Sequence, residues 1–270
     1  MESVNNKGIA VVTGASSGIG AIYADRLAQR GYDLKLVARR GDRLEVIAKR
    51  LRADYGVHVE SVVADLAKGT DLERVAQIVA NDPNITVLVN NAGTGAFSPL
   101  ADASYADSAN TVAVNVIALT KLTQAAIPSF KARNSGTVIN IGSVLGYHSL
   151  SYSSVYSGTK GYVVNFTRGL QEEFAGTNVR IQLVLPAATA TEIWDIAGVP
   201  LTQLDQSTVM TAEDCVDAAF AGLDQGELVT IPPLENPAVW DAFDQARLAM
   251  FGSTRTGRPA SRYQLAPTLA

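Results

Sequence analysis

Ile9-Ala10-Val11-Val12-Thr13-Gly14-Ala15-Ser16-Ser17-Gly18-Ile19-Gly20 is the stretch that decides the fold. Its first four residues are apolar at successive positions, as expected for a strand covered on both faces. Three glycines follow at once, and an amphipathic segment, Ile19–Arg30, starts among them. A chain that turns sharply from strand to helix, approaches a pyrophosphate and packs the new helix on the strand needs residues without a Cβ. The helix start then offers unpaired N–H groups and a partial positive charge to phosphate. A ligand-free turn uses the same residues, so it is the position on the first strand–helix junction that favours a dinucleotide. Gly14, Ser16, Ser17, Gly18, Ile19 and Gly20 are the candidate contacts.

Working outward, similar short runs recur at Leu34–Val37, Val57–Val63, Val87–Val89, Thr137–Ile141, Arg180–Val184 and Leu228–Ile231. Helix-like stretches such as Arg43–Asp54 and Leu72–Asn81 lie between them. The alternation predicts an α/β, doubly wound, mainly parallel seven-stranded sheet with helices on both faces. The 270 residues read as one domain, a length that α/β folds often use in a single unit. Residues of about 191–211 read as a substrate lid and about 252–270 as a C-terminal tail with Arg255, Arg258 and Arg262. Val239–Phe251 reads as a helix before that tail, with Trp240, Phe243 and Met250 near one face.

A formal charge of −4 supplies no basic field for nucleic acid or an anionic membrane. The single cysteine, Cys215, excludes an intrachain disulfide and fits a reducing compartment, so cytoplasmic residence is expected. Two histidines and one cysteine offer no zinc cluster. No stretch reads as a signal-peptide core or as the roughly 20 apolar residues of a membrane span.

The second strand bears on which dinucleotide binds. NAD sites place an acid at its end, about 20 residues past the glycines, to hold the ribose 2′-hydroxyl. Here that end reads Val37-Ala38-Arg39-Arg40. A carboxylate would repel a 2′-phosphate, whereas an arginine fork holds it through charge-assisted hydrogen bonds. Arg39 is the first candidate and Arg40 the second, which predicts NADP(H). A solvated arginine pair and an NAD(H) site are the alternatives.

Further along stand Asn90-Asn91-Ala92-Gly93, Ser143 just after a strand, and Tyr156-Ser157-Gly158-Thr159-Lys160. Tyr and Lys four apart share a helix face. A phenol has a reference pKa near 10, and an adjacent ammonium and a positively charged oxidised nicotinamide both favour its phenolate, which predicts a pKa lowered toward working pH. Tyr156 then exchanges a proton with a substrate oxygen that Ser143 hydrogen-bonds and positions. Taken alone the Tyr/Lys spacing is common on helix surfaces and decides nothing.

Together and in this order, these elements resemble the classical short-chain dehydrogenase/reductase family over roughly residues 8–231. The resemblance implies a Rossmann-type sheet and a catalytic tetrad of Asn115, Ser143, Tyr156 and Lys160. Asn115, in Val114-Asn115-Val116, matches the asparagine that holds a water next to the lysine. Lys160 would also hold the nicotinamide ribose hydroxyls, and Asp65 matches the acid that meets adenine. The implied cofactor contacts extend to Leu66, Asn90, Ala92, Gly93, Pro186, Thr189 and Thr191. Two departures stand out. Ala187 follows Pro186 where the family has glycine, and would be strained by about 1 kcal/mol or more if its φ were positive. Ser17 stands where some NADP-preferring members carry a basic residue.

The implied function is an NADP(H)-dependent oxidoreductase moving hydride between nicotinamide and a carbonyl or alcohol substrate. A non-catalytic dinucleotide-sensing regulator would need the glycine loop but not the tetrad. Phe97, Val144, Leu145, Tyr147 and the apolar residues of Glu192–Pro200 could line a pocket or merely pack the lid. His148 reads as a polar rim residue and His58 as a strand-edge residue. Family resemblance also implies a homodimer or homotetramer built on the helices that carry Asn115 and Tyr156.

Overall fold

The structure, a computed structural model, describes residues 7–95, 97–196 and 198–263. The sequence suggests one domain over residues 1–270, and the structure divides it into two compact units, Met1–Pro233 and Leu234–Ala270. The first carries a seven-stranded sheet ordered β3-β2-β1-β4-β5-β6-β7. Its strands are β1 (Ile9–Thr13), β2 (Asp33–Ala38), β3 (Val59–Val63), β4 (Ile85–Asn90), β5 (Gly136–Ile141), β6 (Val179–Val184) and β7 (Val229–Thr230). Every neighbouring pair is parallel. "Mainly parallel" thus becomes wholly parallel for these strands.

Successive apolar residues serve both faces. On β1, Ala10 and Val12 enter one core, with Tyr23 and Leu27 of α1 (Gly18–Gln29) and Leu44, Ala48 and Leu51 of α2 (Gly41–Tyr55). Val11 enters the other, with Leu72 and Val75 of α3 (Gly69–Asn81). That second layer also contains a long helical segment: α4 (Tyr105–Val112), a π-helical turn (Ala113–Ala118) and α5 (Leu119–Ala132). By length and composition alone Tyr105–Ala132 could cross a membrane. Here, however, Leu122, Ala126 and Phe130 are buried against the sheet. Next come α6 (Ser154–Glu173), the short α7 (Ile193–Ile196) and α8 (Ala212–Gln225), the last facing the first core through Val216 and Phe220.

Because β1 lies between β2 and β4, connections leave it in opposite directions. Open α/β sheets form their ligand crevice at the carboxyl ends of strands at such a reversal. The lid folds as α7 and two 3₁₀ turns, Leu201–Gln203 and Gln206–Thr208. Its ends are tied together by Met210 N–H donating to Ala188 O and Ala190 N–H to Met210 O, each near 2.9 Å (2.9 and 2.8 Å). The second unit contains α9 (Ala238–Ser253), slightly longer than the expected Val239–Phe251, and a 3₁₀ turn at Ser261–Tyr263. Trp240 and Phe243 lie 5.3 Å apart on it. Residues 264–270 of the expected tail lie outside the described residues.

Candidate active site

The carboxyl ends of β1 and β4 open into a cavity of about 320 Å³. Gly14 and Gly18 shape its floor with φ of +67° and +53°, a left-handed conformation that glycine adopts without strain. The start of α1 has no side-chain cap, since Ser17 at the N-cap position makes no such hydrogen bond. Its first N–H groups are therefore available to an anion.

The chemistry-bearing side chains converge across this opening from three elements. Tyr156 and Lys160 lie one turn apart on α6, and both side chains are buried. The Tyr156 phenol is close enough to the Ser143 hydroxyl to feel it electrostatically, and Ser143 itself is held as a cap that accepts from Leu145 N–H at 3.1 Å. Lys160 Nζ donates to Ile141 O at 2.8 Å and lies 5.7 Å from the Tyr156 ring centroid. Asn115 sits within the π turn, a helix irregularity found often at functional sites. Its Nδ2 donates to Thr94 O at 2.9 Å and Thr159 Oγ1 at 3.0 Å, and its Oδ1 accepts from Thr94 N–H at 2.9 Å. Both amide hydrogens are thus engaged, which pins the Gly93–Thr94 loop to α6.

Burial dominates the electrostatics. It pushes the Tyr156 phenol up to about 12, the Ser143 hydroxyl acting the other way. It also pulls the Lys160 ammonium down to about 8. The phenol lowered by its lysine, expected from sequence, is therefore corrected: desolvation disfavours the charged form of both groups and dominates both shifts. The phenol therefore keeps its proton across the neutral range.

Of the expected cofactor contacts, Gly14, Ser17, Gly18, Ile19, Ala92, Gly93, Pro186, Thr189 and Thr191 line the cavity with Tyr156 and Lys160. Ser16, Gly20, Arg39, Arg40, Asp65, Leu66 and Asn90 lie outside that lining. Asn90 turns its amide into the core, donating to Thr123 Oγ1 and Asn140 Oδ1 at 2.9 Å each. Its neighbour Asn91, not singled out from sequence, lines the cavity and braces Thr13 O at 2.9 Å. Asp65 follows β3 and accepts from Ala67 N–H at 3.2 Å in a tight turn, while Leu66 is buried. Arg39 is exposed. Arg40 is the arginine held against the glycine loop, its Nη2 2.7 Å from Ser17 Oγ and 3.1 Å from Ser16 Oγ. A basic group thus reaches Ser17 from the β2 loop. Ala187 carries no left-handed strain, because Asn134 is the positive-φ non-glycine residue among those described.

An aromatic wall stands over the tyrosine. Phe97 meets the Tyr156 ring edge-on at 5.1 Å and stacks on Trp194 of the lid at 5.7 Å. Trp194 Nε1 donates to Thr189 O at 2.8 Å. Val144, Leu145, Leu150 and Ile193 complete the apolar side, whereas Tyr147 stays outside the lining and is largely exposed. His148 is also exposed.

Residues 8–197 match the family described as short chain dehydrogenase. The chain belongs to the short-chain dehydrogenase family. Among relatives in this family, it is 34% identical over 191 residues to very-long-chain 3-oxoacyl-CoA reductase-A of Danio rerio, covering 69% of this chain and 60% of that protein. The chain thus spans about 60% of the length of that reductase. Two solved structures of family members are similar over nearly the whole chain. A short-chain dehydrogenase from Sphingobium yanoikuyae in complex with NADPH has a TM-score of 0.92 and 42% identity, covering 95% of this chain and 99% of that one. The bulky-bulky ketone specific alcohol dehydrogenase from Comamonas testosteroni has a TM-score of 0.87 and 37% identity, covering 95% and 98%. The Rossmann-type sheet described above is the fold of this family.

The donor set of this family member fits a dinucleotide. Gly14 and Gly18 keep the loop low, the α1 start is uncapped, and the buried Lys160 supplies an ammonium to the cavity. Glu192, which lines the cavity, and Arg43, which pairs with it, escaped the sequence reading because they meet 149 positions apart in the chain.

Proposed function

We propose that this protein is an NADP(H)-dependent reductase and dehydrogenase acting on carbonyl and alcohol substrates, with Tyr156 as the general acid and base. The observation that carries this reading is the Tyr156 phenol, buried beside Ser143 and one turn from Lys160 in the cavity at the sheet's reversal. Bound nicotinamide supplies hydride in reduction and accepts it in oxidation. Ser143 orients the substrate oxygen next to the phenol, and Tyr156 gives that oxygen its proton. Lys160 keeps the cofactor ribose in place and Asn115 holds the adjoining loop. Arg40, with the exposed Arg39, supports NADP(H) over NAD(H), and the NADPH bound to the Sphingobium structure supports the same reading.

The Phe97–Trp194 wall and its aliphatic neighbours favour an apolar ketone or aldehyde whose surface is buried against them. The ketone specificity given for the Comamonas enzyme supports a bulky one. This reading assigns the protein to the cytoplasm, in keeping with its free, buried Cys215. It also assigns a homodimer or homotetramer through the faces near Asn115 and Tyr156, where Val112, Ile117 and Tyr162 are exposed. Light scattering during gel filtration tests the assembly.

The direct test is a screen of NADPH oxidation over aromatic and aliphatic ketones and aldehydes, with alcohols in reverse. Turnover on none of them would favour the dinucleotide-sensing alternative. Arg39→Ala and Arg40→Ala are each expected to weaken NADPH by about tenfold or more, with a much smaller effect on NADH. Equal losses for both cofactors, measured by calorimetry, would place the 2′-phosphate elsewhere.

The pKa directions separate the two reaction directions. Oxidation needs the phenol to lose a proton that burial helps it keep, so its kcat/KM is expected to rise with pH through the neutral range. Reduction uses the protonated phenol and is expected to stay level until Lys160 loses its charge near about 8, then to fall. Superimposable pH profiles in the two directions would contradict this assignment.

A further inference from the structure

Glu192 leaves the first turn of the lid and crosses the mouth of the cavity. One carboxylate oxygen lies 2.7 Å from Arg40 Nη1 and the other 2.5 Å from Arg43 Nη1. Arg40 at the same time donates to Ser17 and Ser16 on the glycine loop. An anion thus already holds Arg40 through Nη1, while Nε and Nη2 face the two serines, and that anion belongs to a residue lining the cavity beside Thr191. Hydrogen bonds from Arg43 and then Arg40 hold that carboxyl down at about 2, so it stays ionised wherever the protein works.

A phosphate monoester carries about −1.5 to −2 charge near neutrality and three strong acceptors, so it needs the same donors. A carboxylate left on the Arg40 guanidinium neutralises part of its charge and repels the incoming phosphate. A dinucleotide with a bare 2′-hydroxyl makes no such demand.

We propose that Glu192 is a specificity-determining residue for the dinucleotide: its carboxylate surrenders Arg40 to a 2′-phosphate, so that NADP(H), and not NAD(H), frees the start of the lid from the glycine loop. The inference rests on the NADP(H) reading given above. It fixes a sign, because Glu192 acts as a competitor of the ligand. Losing the carboxylate should strengthen NADPH binding, and the half-exposed ion pair limits the gain.

The test measures calorimetric dissociation constants of NADPH and NADH for the wild type and Glu192→Gln at low and high salt. The variant is expected to bind NADPH about three- to tenfold more tightly and NADH within about twofold of wild type, with a gain that shrinks as salt screens the charges. A second readout uses Trp194 fluorescence in a Trp240→Phe background, which leaves one tryptophan of the two. Adenosine 2′,5′-bisphosphate, which carries no nicotinamide, is expected to shift that emission, whereas adenosine 5′-monophosphate is not. If the wild type binds NADPH and NADH equally, the cofactor reading itself fails. If NADPH is preferred but Glu192→Gln leaves it unchanged, weakens it, or tightens it regardless of salt, the role of Glu192 alone is overturned.

Discussion

Tyr156→Phe is expected to lower kcat by about 10²- to 10⁴-fold while dinucleotide binding persists, the range typical of losing a positioned general acid. The substitution removes one hydroxyl and little else. The ring keeps its burial and its 5.1 Å edge contact with Phe97, and Lys160 keeps its hydrogen bond to Ile141 O. Ser143 retains the N–H of Leu145. What disappears is the only phenolic proton that the described lining residues aim into the cavity. Steady-state kinetics on any ketone found in the screen, set beside calorimetric cofactor binding, gives the answer. A kcat within a few-fold of wild type would remove Tyr156 from the chemistry.

Gly20→Ala is expected to be the most damaging small substitution in the cofactor loop. A Cβ at Gly20 would lie 2.3 Å from Gly14 O and 2.4 Å from Asn91 Nδ2. The first neighbour is backbone and cannot rotate away, so the β1–α1 turn must open. Overpacking of this kind costs about 1–3 kcal/mol, or more where the backbone resists. For a domain of this size each kcal/mol lowers Tm by about 2–4 °C. The displaced loop should also weaken NADPH, because α1 moves off its strand. Gly169→Ala is the matched control: it lies exposed within α6, and beyond its chain neighbours and the helix's own backbone no atom comes within 4 Å of the added Cβ. There alanine is expected to stabilise by about 0.5–1 kcal/mol through helix propensity. A Gly20→Ala protein that melts with the wild type and binds NADPH normally would show that this close approach is tolerated.

The sheet was largely legible because buried parallel strands are apolar on consecutive residues, as Ile9–Val12 are. It blurred at its edges. β3 pairs from Val59 rather than Val57, and β7 forms only at Val229–Thr230 with Leu228 exposed. At the site, residue types in sequence order located Tyr156 and Lys160, but their ionisation depends on burial, which residue order does not express. The choice between Arg39 and Arg40 was equally hidden, since adjacent side chains leaving a strand point to opposite sides. Only the folded chain brings Arg40 to Ser17 and Glu192. Asn90 and Asn91 illustrate the same alternation: one amide serves the core, the other the cavity.

The π turn at Ala113–Ala118 has a bearing beyond the amide it displays. A π turn accommodates one more residue than the α-helix around it, and each residue of an α-helix advances the face by about 100°. The segments before and after Asn115 are therefore out of phase, as if the helix had been cut and rejoined with a spare residue. Removing any one residue between Val112 and Leu119 would restore regular winding and swing Tyr105–Val112 around the axis relative to the core-facing Leu122 and Phe130. Chain length across this turn, as much as the asparagine itself, determines where the amide comes to rest.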